Sequence, residues 1–339
     1  MKTNATLGLL TAIVLSTLSS QLSTGFAQGN LTPPGPPAPT MKTLNQIEPR
    51  TPISAAPYTI TNRGSYYLTT NLTGISGASG ITIASDDVTL DLNGFALVGV
   101  PGSRHGVFVF TNAVYFNLAV RNGTVRGWDG NGVEAFDGEN VILERLIVSD
   151  AGGFGIDAFG SVIRDCQVDS SGDTGIAANI SEIRNCVVEN CGFDGIDAFD
   201  SRVRDCVVEF NQFGIYVAPG KVIDCLVETN AQSGIYVDAS GCQISGNTCL
   251  GNNFNASTGD AGIFLNASNN RVEDNHVAGS GFAGIQVASG APTRNLIIRN
   301  SVYGNSANNY LTPGQQIVGP LITTTGTITN SNPWANFSF

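Results

Sequence analysis

Three acidic residues of this chain occupy one position of a recurring tetrapeptide. They are Glu134 in Gly132-Val133-Glu134-Ala135, Asp157 in Gly155-Ile156-Asp157-Ala158 and Asp197 in Gly195-Ile196-Asp197-Ala198. Phe108, Tyr216, Tyr236 and Phe264 hold the same position in other copies, and Ala177 and Gln286 complete the row. If the apolar residues of the tetrapeptide face a core, the third residue faces solvent. The row is then one exposed ridge, acidic in its first half and aromatic in its second. Such a ridge suits a sugar polymer. Aromatic faces pack on the apolar faces of sugar rings, and carboxylates accept hydrogen bonds from hydroxyls or hold Ca²⁺. Asp129, Asp173, Asp194 and Asp260 shortly precede the same glycines and could flank the ridge. Asp157, Asp173, Asp194 and Asp197 are the Ca²⁺ candidates; no other cofactor is implied. A structural reading stands beside this one: stacked tyrosines stabilise a sheet, and exposed acids keep strands soluble.

The acids also have spacings that catalysis could use. With strands stacked about 4.8 Å apart, Asp157 and Asp197 would lie roughly 9.6 Å apart at Cα and Glu134 and Asp157 about 5 Å. Inverting glycosidases separate their carboxyl groups by roughly 6.5–9.5 Å and retaining ones by about 5 Å. A repeating acid generates such spacings whether or not it is catalytic. His105, beside Arg104 and just before Gly106, could act as a general base with Glu134 one repeat on. His276 sits between Asn275 and Val277 and reads as an exposed, idle histidine. The ridge contains no Arg or Lys. Arg164, Arg184 and Arg204 fall on a different segment, where Asp169, Glu189 and Glu209 are expected to balance them.

The elements that must hold this ridge follow from the repeat itself. The Gly-apolar pair recurs at Gly80, Gly106, Gly132, Gly155, Gly175, Gly195, Gly214, Gly234, Gly262 and Gly284, in steps of 26, 26, 23, 20, 20, 19, 20, 28 and 22 residues. A second row in phase holds Cys166, Cys186, Cys206, Cys225, Asn247, Asn275 and Asn300. A third holds Ser171, Cys191, Asn211, Asn230, Asn252, Ser280 and Asn305. Each repeat is thus three short apolar pieces separated by Asn, Gly, Asp or Ser. They are too short for helices and alternate in and out like strands. Three strands per turn, stacked turn on turn, predict an all-β, single-stranded parallel β-helix over residues 80–305, a solenoid of about ten coils. Gly at the start of each strand is expected to supply positive φ, and stacked Asn side chains to bond from coil to coil.

The segment Asn275-His276-Val277 through Gly284-Ile285-Gln286-Val287, its equivalents in other coils, and Val88-Thr89-Leu90-Asp91-Leu92-Asn93-Gly94 resemble the pectate-lyase-like superfamily of secreted bacterial right-handed parallel β-helix proteins. The resemblance implies the right-handed sense of the coil and a polysaccharide site along a strand face. The polygalacturonase pattern of paired Asp followed by Gly-His-Gly is absent, as is a basic residue of the pectate-lyase kind on the ridge.

The remainder of the chain bounds the reading. Residues 44–79 are expected to form an N-terminal cap and residues 306–339 a C-terminal cap, with Trp334 and Phe337 covering the last coil. Residues 1–27 read as a signal peptide: Lys2, the apolar run Leu7 to Leu18, then Gly25 and Ala27 before the cleavage point. That run is short for a membrane span, and no later segment qualifies. A Pro-rich linker, residues 28–43, follows. The protein is therefore expected to be secreted or held at the cell envelope. The net charge is −11, or −12 once Lys2 leaves with the signal, and there is no basic cluster, which argues against nucleic acid as a partner.

Seven cysteines are present. Stacked side chains keep about 4.8 Å between Cβ atoms, more than the roughly 3.8 Å a disulfide needs, so Cys166, Cys186, Cys206 and Cys225 read as a row of buried thiols. The pairing of Cys191, Cys242 and Cys249, and the oligomeric state, are left open by the sequence. The expected function is polysaccharide binding or a cell-surface role without a complete catalytic set. The alternative is a lyase or glycoside hydrolase acting on an acidic polysaccharide through Glu134, Asp157, Asp197 or His105.

Overall fold

The structure, a computed structural model, describes residues 49–110, 113–290, 292–323 and 326–339. The expected signal peptide and linker lie outside the described residues. The described chain is all β, without a helix, and forms a parallel β-solenoid of about twelve turns. Each turn contributes one strand to a twelve-stranded parallel sheet that runs from Tyr58–Ile60 to Asn308–Leu311. The other two faces form a 24-stranded sheet, joined where Tyr115–Arg126 and Gly138–Ser149 continue round a corner without a break.

The glycine ladder sets the register of the twelve-stranded sheet. Val107 lies opposite Val133, Val133 opposite Ile156, Ile156 opposite Ile176, and so on through Ile196, Ile215, Ile235, Ile263 and Ile285. All of these point inward and are fully buried. The 28-residue step from Gly234 to Gly262 places most of its extra residues in the loop before Asp260, whereas in the 23-residue step Gly138 and Glu139 extend a strand and pair with Tyr115 and Phe116.

The ladder glycines owe their identity to packing rather than to positive φ. None of those from Gly106 to Gly284 has left-handed backbone. A Cβ on Gly195 would instead meet Val208 Cγ1 at 2.3 Å and the Gly214 carbonyl oxygen at 2.7 Å. Left-handed residues sit at the corners between faces: Asp165, Asn185, Asp205 and Asp224 in one row, Asp150, Ser170, Asn190, Phe210 and Thr229 in another. Asn and Asp tolerate this conformation better than other residues with a Cβ.

The expected side-chain ladders form. The Asn247 Oδ1 accepts from the Cys225 backbone N–H at 3.0 Å, Asn275 from Asn247 at 2.9 Å and Asn300 from Asn275 at 3.0 Å. The other row repeats this from Asn211 to Asn252. A further ladder escaped the sequence reading because its residues change type. Ser181 and Ser201 accept from Ser161 and Ser181, and further along Asn270 and Asn295 accept from Cys242 and Asn270. Buried backbone groups at the corners are satisfied in this way, coil by coil.

At the ends, the strands Thr51–Ile53, Tyr58–Ile60, Gly64–Leu68 and Leu72–Thr73 already pair in parallel with the coils that follow them. The stack thus starts at Thr51, within the segment expected to cap it. Trp128 is the largest fully buried side chain, and its Nε1 donates to the Leu97 carbonyl at 3.1 Å. Trp334, expected to cover the last coil, is half exposed with its ring 5.4 Å from the Arg299 guanidinium. Asn336 ends the stack instead, extending the ladder from Asn300.

All seven cysteines are buried and unpaired. Burial pushes the Cys191 thiol up to about 11 and raises Cys249 further still, so neither offers a reactive thiolate. The arginines also pair otherwise than expected. Arg164 meets Glu144, and Arg204 meets Glu182 and Asp205. Asp169, Glu189 and Glu209 lie past the left-handed corner on the next face, so their side chains leave in a different direction.

Candidate functional site

The ridge exists as one row. Glu134 stands opposite Asp157, Asp157 opposite Ala177, Ala177 opposite Asp197, Asp197 opposite Tyr216, and Tyr216 opposite Tyr236. These side chains are partly buried and face outward. Ala177, the small residue between Asp157 and Asp197, leaves a notch about two strand spacings wide between the two carboxylates.

The electrostatics of the acidic half follow from crowding. Burial, together with the charges of Glu134, Asp137 and Asp197, pushes the Asp157 carboxyl up to about 7. Burial also raises Glu134 and Asp197. Asp194 is almost fully buried, and its Oδ1 has no hydrogen-bond partner. Burial and the charges of Asp197 and Asp173 raise it to about 7. Asp157 and Asp194 are therefore partly protonated near neutral pH and can donate as well as accept hydrogen bonds.

His105 reaches Glu134 through an intermediary. Its Nδ1 accepts from the Asn131 backbone N–H at 3.1 Å, and the Asn131 amide donates to Glu134 Oε2. Glu134 Oε1 also accepts from the Phe136 backbone N–H at 3.3 Å. Burial and the Arg104 charge lower the His105 pKa, which favours a neutral ring. The His105 ring stacks on Phe108 at 5.2 Å. Asn131 was absent from the sequence reading because only the acids preceding the tetrapeptide glycines were considered, and Asn131 is an amide.

The aromatic half is continuous. Tyr216 and Tyr236 stack at 5.5 Å with their planes 8° apart, and Tyr236 stacks on Phe264 at 5.1 Å. The Tyr216 hydroxyl donates to Asp238. Phe264 and Gln286, expected to be exposed, are instead only 6 % exposed. The insertion before Asp260 covers this end, and Gln286 Nε2 donates to the Thr258 carbonyl at 2.9 Å. The open ridge thus runs from Phe108 to Tyr236.

A second outward row lies beside the first. Phe110, Phe136, Phe159 and Phe199 each stand two residues after a ridge position, so they share its face. Phe136 and Phe159 contact edge to face at 5.9 Å, and Phe136 and Phe199 are about half exposed. On the other side, Phe193 packs against Phe213, which meets Tyr236. Asp197 therefore has aromatic rings to both sides, and Glu134 and Asp157 have the phenylalanine row to one. A search for a residue type repeating at the fifth position of the motif would have revealed the Phe row.

The flanking acids divide. Asp129 accepts from the Gly102 backbone N–H at 2.6 Å and Asp260 from the Ser233 hydroxyl at 2.7 Å, so both hold loops. Asp173 accepts from the Thr174 N–H at 2.9 Å. Asp173, Asp194, Asp197 and Asp157 feel one another's charge, yet among the described residues no three His, Cys, Asp or Glu side chains are gathered to hold a metal ion. His276 lies on another face against Tyr303. No helix among the described residues is long and apolar enough to cross a membrane.

Known proteins place this architecture. No curated protein sequence matches the chain. Among solved structures, the A-module of the mannuronan C-5 epimerase AlgE6 from Azotobacter vinelandii is similar with a TM-score of 0.63 at 17% identity, over 80% of this chain and 89% of that one. The tailspike protein of E. coli bacteriophage HK620, in complex with a pentasaccharide, is similar with a TM-score of 0.58 at 14% identity. The match takes in 78% of this chain and 59% of the tailspike chain, so the likeness spans somewhat over half of that protein. At these identities the likeness is one of fold. The family model for the right handed beta helix region matches residues 105–249 and 220–332, more than half of the chain, and with twelve parallel coils in register the protein belongs to the right-handed β-helix family.

Proposed function

We propose that the protein is exported by residues 1–27 and binds polysaccharide along the face from Phe108 to Tyr236. The observation that carries this reading is the register itself. Carboxylates at Glu134, Asp157 and Asp197 continue into stacked Tyr216 and Tyr236, beside a row of exposed phenylalanines. An exposed aromatic strip with interleaved hydrogen-bonding groups suits the alternating apolar and polar faces of a sugar chain. The similar tailspike structure holds a pentasaccharide, and the similar epimerase is named for a polysaccharide, which supports the class of ligand.

A second reading, a hydrolase or lyase, is favoured by one feature. Asp157 keeps a proton near neutral pH between Glu134 and Asp197, as a general acid must. A polysaccharide array scored for binding, released reducing ends and unsaturated products separates the two. Binding without products supports the first reading, and products lost in Asp157→Asn support the second. Binding of no polysaccharide would overturn both. A chelator that abolishes binding would assign Ca²⁺ to the acids.

A further inference from the structure

A cleft of about 580 Å³ opens at the corner where the ridge face ends. It exists because the corner residues are small. Gly160, Gly220 and the serine ladder Ser161, Ser181 and Ser201 line it. A Cβ on Gly220 would lie 2.4 Å from the Ser201 carbonyl oxygen, so this position stays bare. The cleft begins where the phenylalanine row stops: Phe199 is followed directly by Asp200, Ser201 and Arg202.

Two cations line this cleft on adjacent coils. Arg202 stands opposite Lys221 in the strand register, and both are exposed. Among the described residues neither has a carboxylate within ion-pair distance, whereas Arg164, Arg184 and Arg204 on the same face all do. Glu182, opposite Arg202 on the preceding coil, has its Oε1 3.0 Å from Arg204 Nε and 3.8 Å from Arg184 Nε. Two like charges one strand spacing apart repel, and an oxyanion bridging them relieves that repulsion. Glu182 and Asp200 both line the same cleft, and their charges limit it to a single anion. In a chain of net charge −11 this pair is a local exception.

We infer that Arg202 and Lys221 form a subsite for a single oxyanion substituent, carboxylate or sulfate, carried by a glycan that crosses the phenylalanine row. This deepens the polysaccharide reading and rests on it for the identity of the ligand. Of the chain's three lysines, Lys2, Lys42 and Lys221, the exported protein keeps the last two, so ¹³C reductive methylation, which keeps the positive charge, gives Lys221 a resolvable NMR signal with Lys42 as internal control. The probes are a tri-galacturonide, the neutral maltotriose and inorganic sulfate.

The galacturonide and sulfate should shift the Lys221 signal saturably while maltotriose does not, and Arg202→Gln should weaken both responses at least fivefold. A Lys221 signal that moves no more than that of Lys42, or an Arg202→Gln response equal to wild type, overturns the subsite. If the galacturonide saturates Lys221 at the same concentration as sulfate, the subsite stands but the ridge reading fails, because a ridge contact should tighten the longer ligand at least tenfold.

Discussion

At the scale of single residues, the acidic half of the ridge links function to stability. Asp157 and Asp194 hold their protons to about 7 in the folded chain, whereas an unfolded aspartate titrates near 4. Between those values the folded state binds more protons than the unfolded one, so stability falls as pH rises through this window. The contribution is complete below about 4 and gone above about 7. Glu134 and Asp197, also raised, act in the same direction. His105, lowered, acts oppositely around its own titration. Glu273 and Asp274 are lowered by Arg271 and Arg299 and lose their contribution only under more acidic conditions. The Tm should therefore be lower at pH 8 than at pH 5, and Asp194→Asn should remove much of that difference. Wild-type pH dependence in Asp194→Asn, measured by thermal melts, would show that its carboxyl titrates normally. The acids were legible in the sequence as a row. Their crowding was legible only in part: Asp194 was read as a flanking acid, whereas Asp137, whose charge raises Glu134 and Asp157, lies outside the tetrapeptide and was not.

At the scale of the element, the repeat revealed which residues face inward but misjudged what the glycines do. A tetrapeptide pattern carries in/out phase, since alternation along a strand is fixed by backbone geometry. The close approach of Val208 to Gly195 comes from a strand thirteen residues on, on the neighbouring face, and has no local signature. Gly195→Ala should cost about 3 kcal/mol in chemical denaturation, toward the upper end for overpacking, because backbone as well as side chain must move. A loss below about 0.5 kcal/mol would place the glycine elsewhere. The corners give the converse case. Ile180 is a β-branched residue at φ 53° and 57 % exposed, so it bears left-handed strain with little burial in return. Ile180→Asn should stabilise the protein by about 1 kcal/mol, the low end of the left-handed penalty. An unchanged or lowered midpoint would mean that its exposed side chain makes up the difference.

At the scale of the whole molecule, in-phase ladders were sufficient to read a parallel solenoid, because stacking is the one way short strands in repeated register can bury a common interior. The ends were less legible. A first coil has neighbours on one side only, so Thr51–Thr73 lack the full motif although they pair as coil strands. The buried cysteine rows follow from the stacking distance, and denatured, unreduced protein should titrate seven free thiols; two fewer would reveal a disulfide that the parallel spacing disfavours. The covered end of the ridge, where Gln286 bonds Thr258, depends on an insertion and was invisible to periodicity. The central claim is that the outward row from Phe108 to Tyr236 carries glycan binding. Its most direct test is the Kd of a folded Tyr216→Ala/Tyr236→Ala double variant for the polysaccharide that wild type binds best. Truncating an aromatic anchor costs about 1–3 kcal/mol, so binding should weaken at least tenfold. A double variant with wild-type circular dichroism, Tm and Kd would contradict the account.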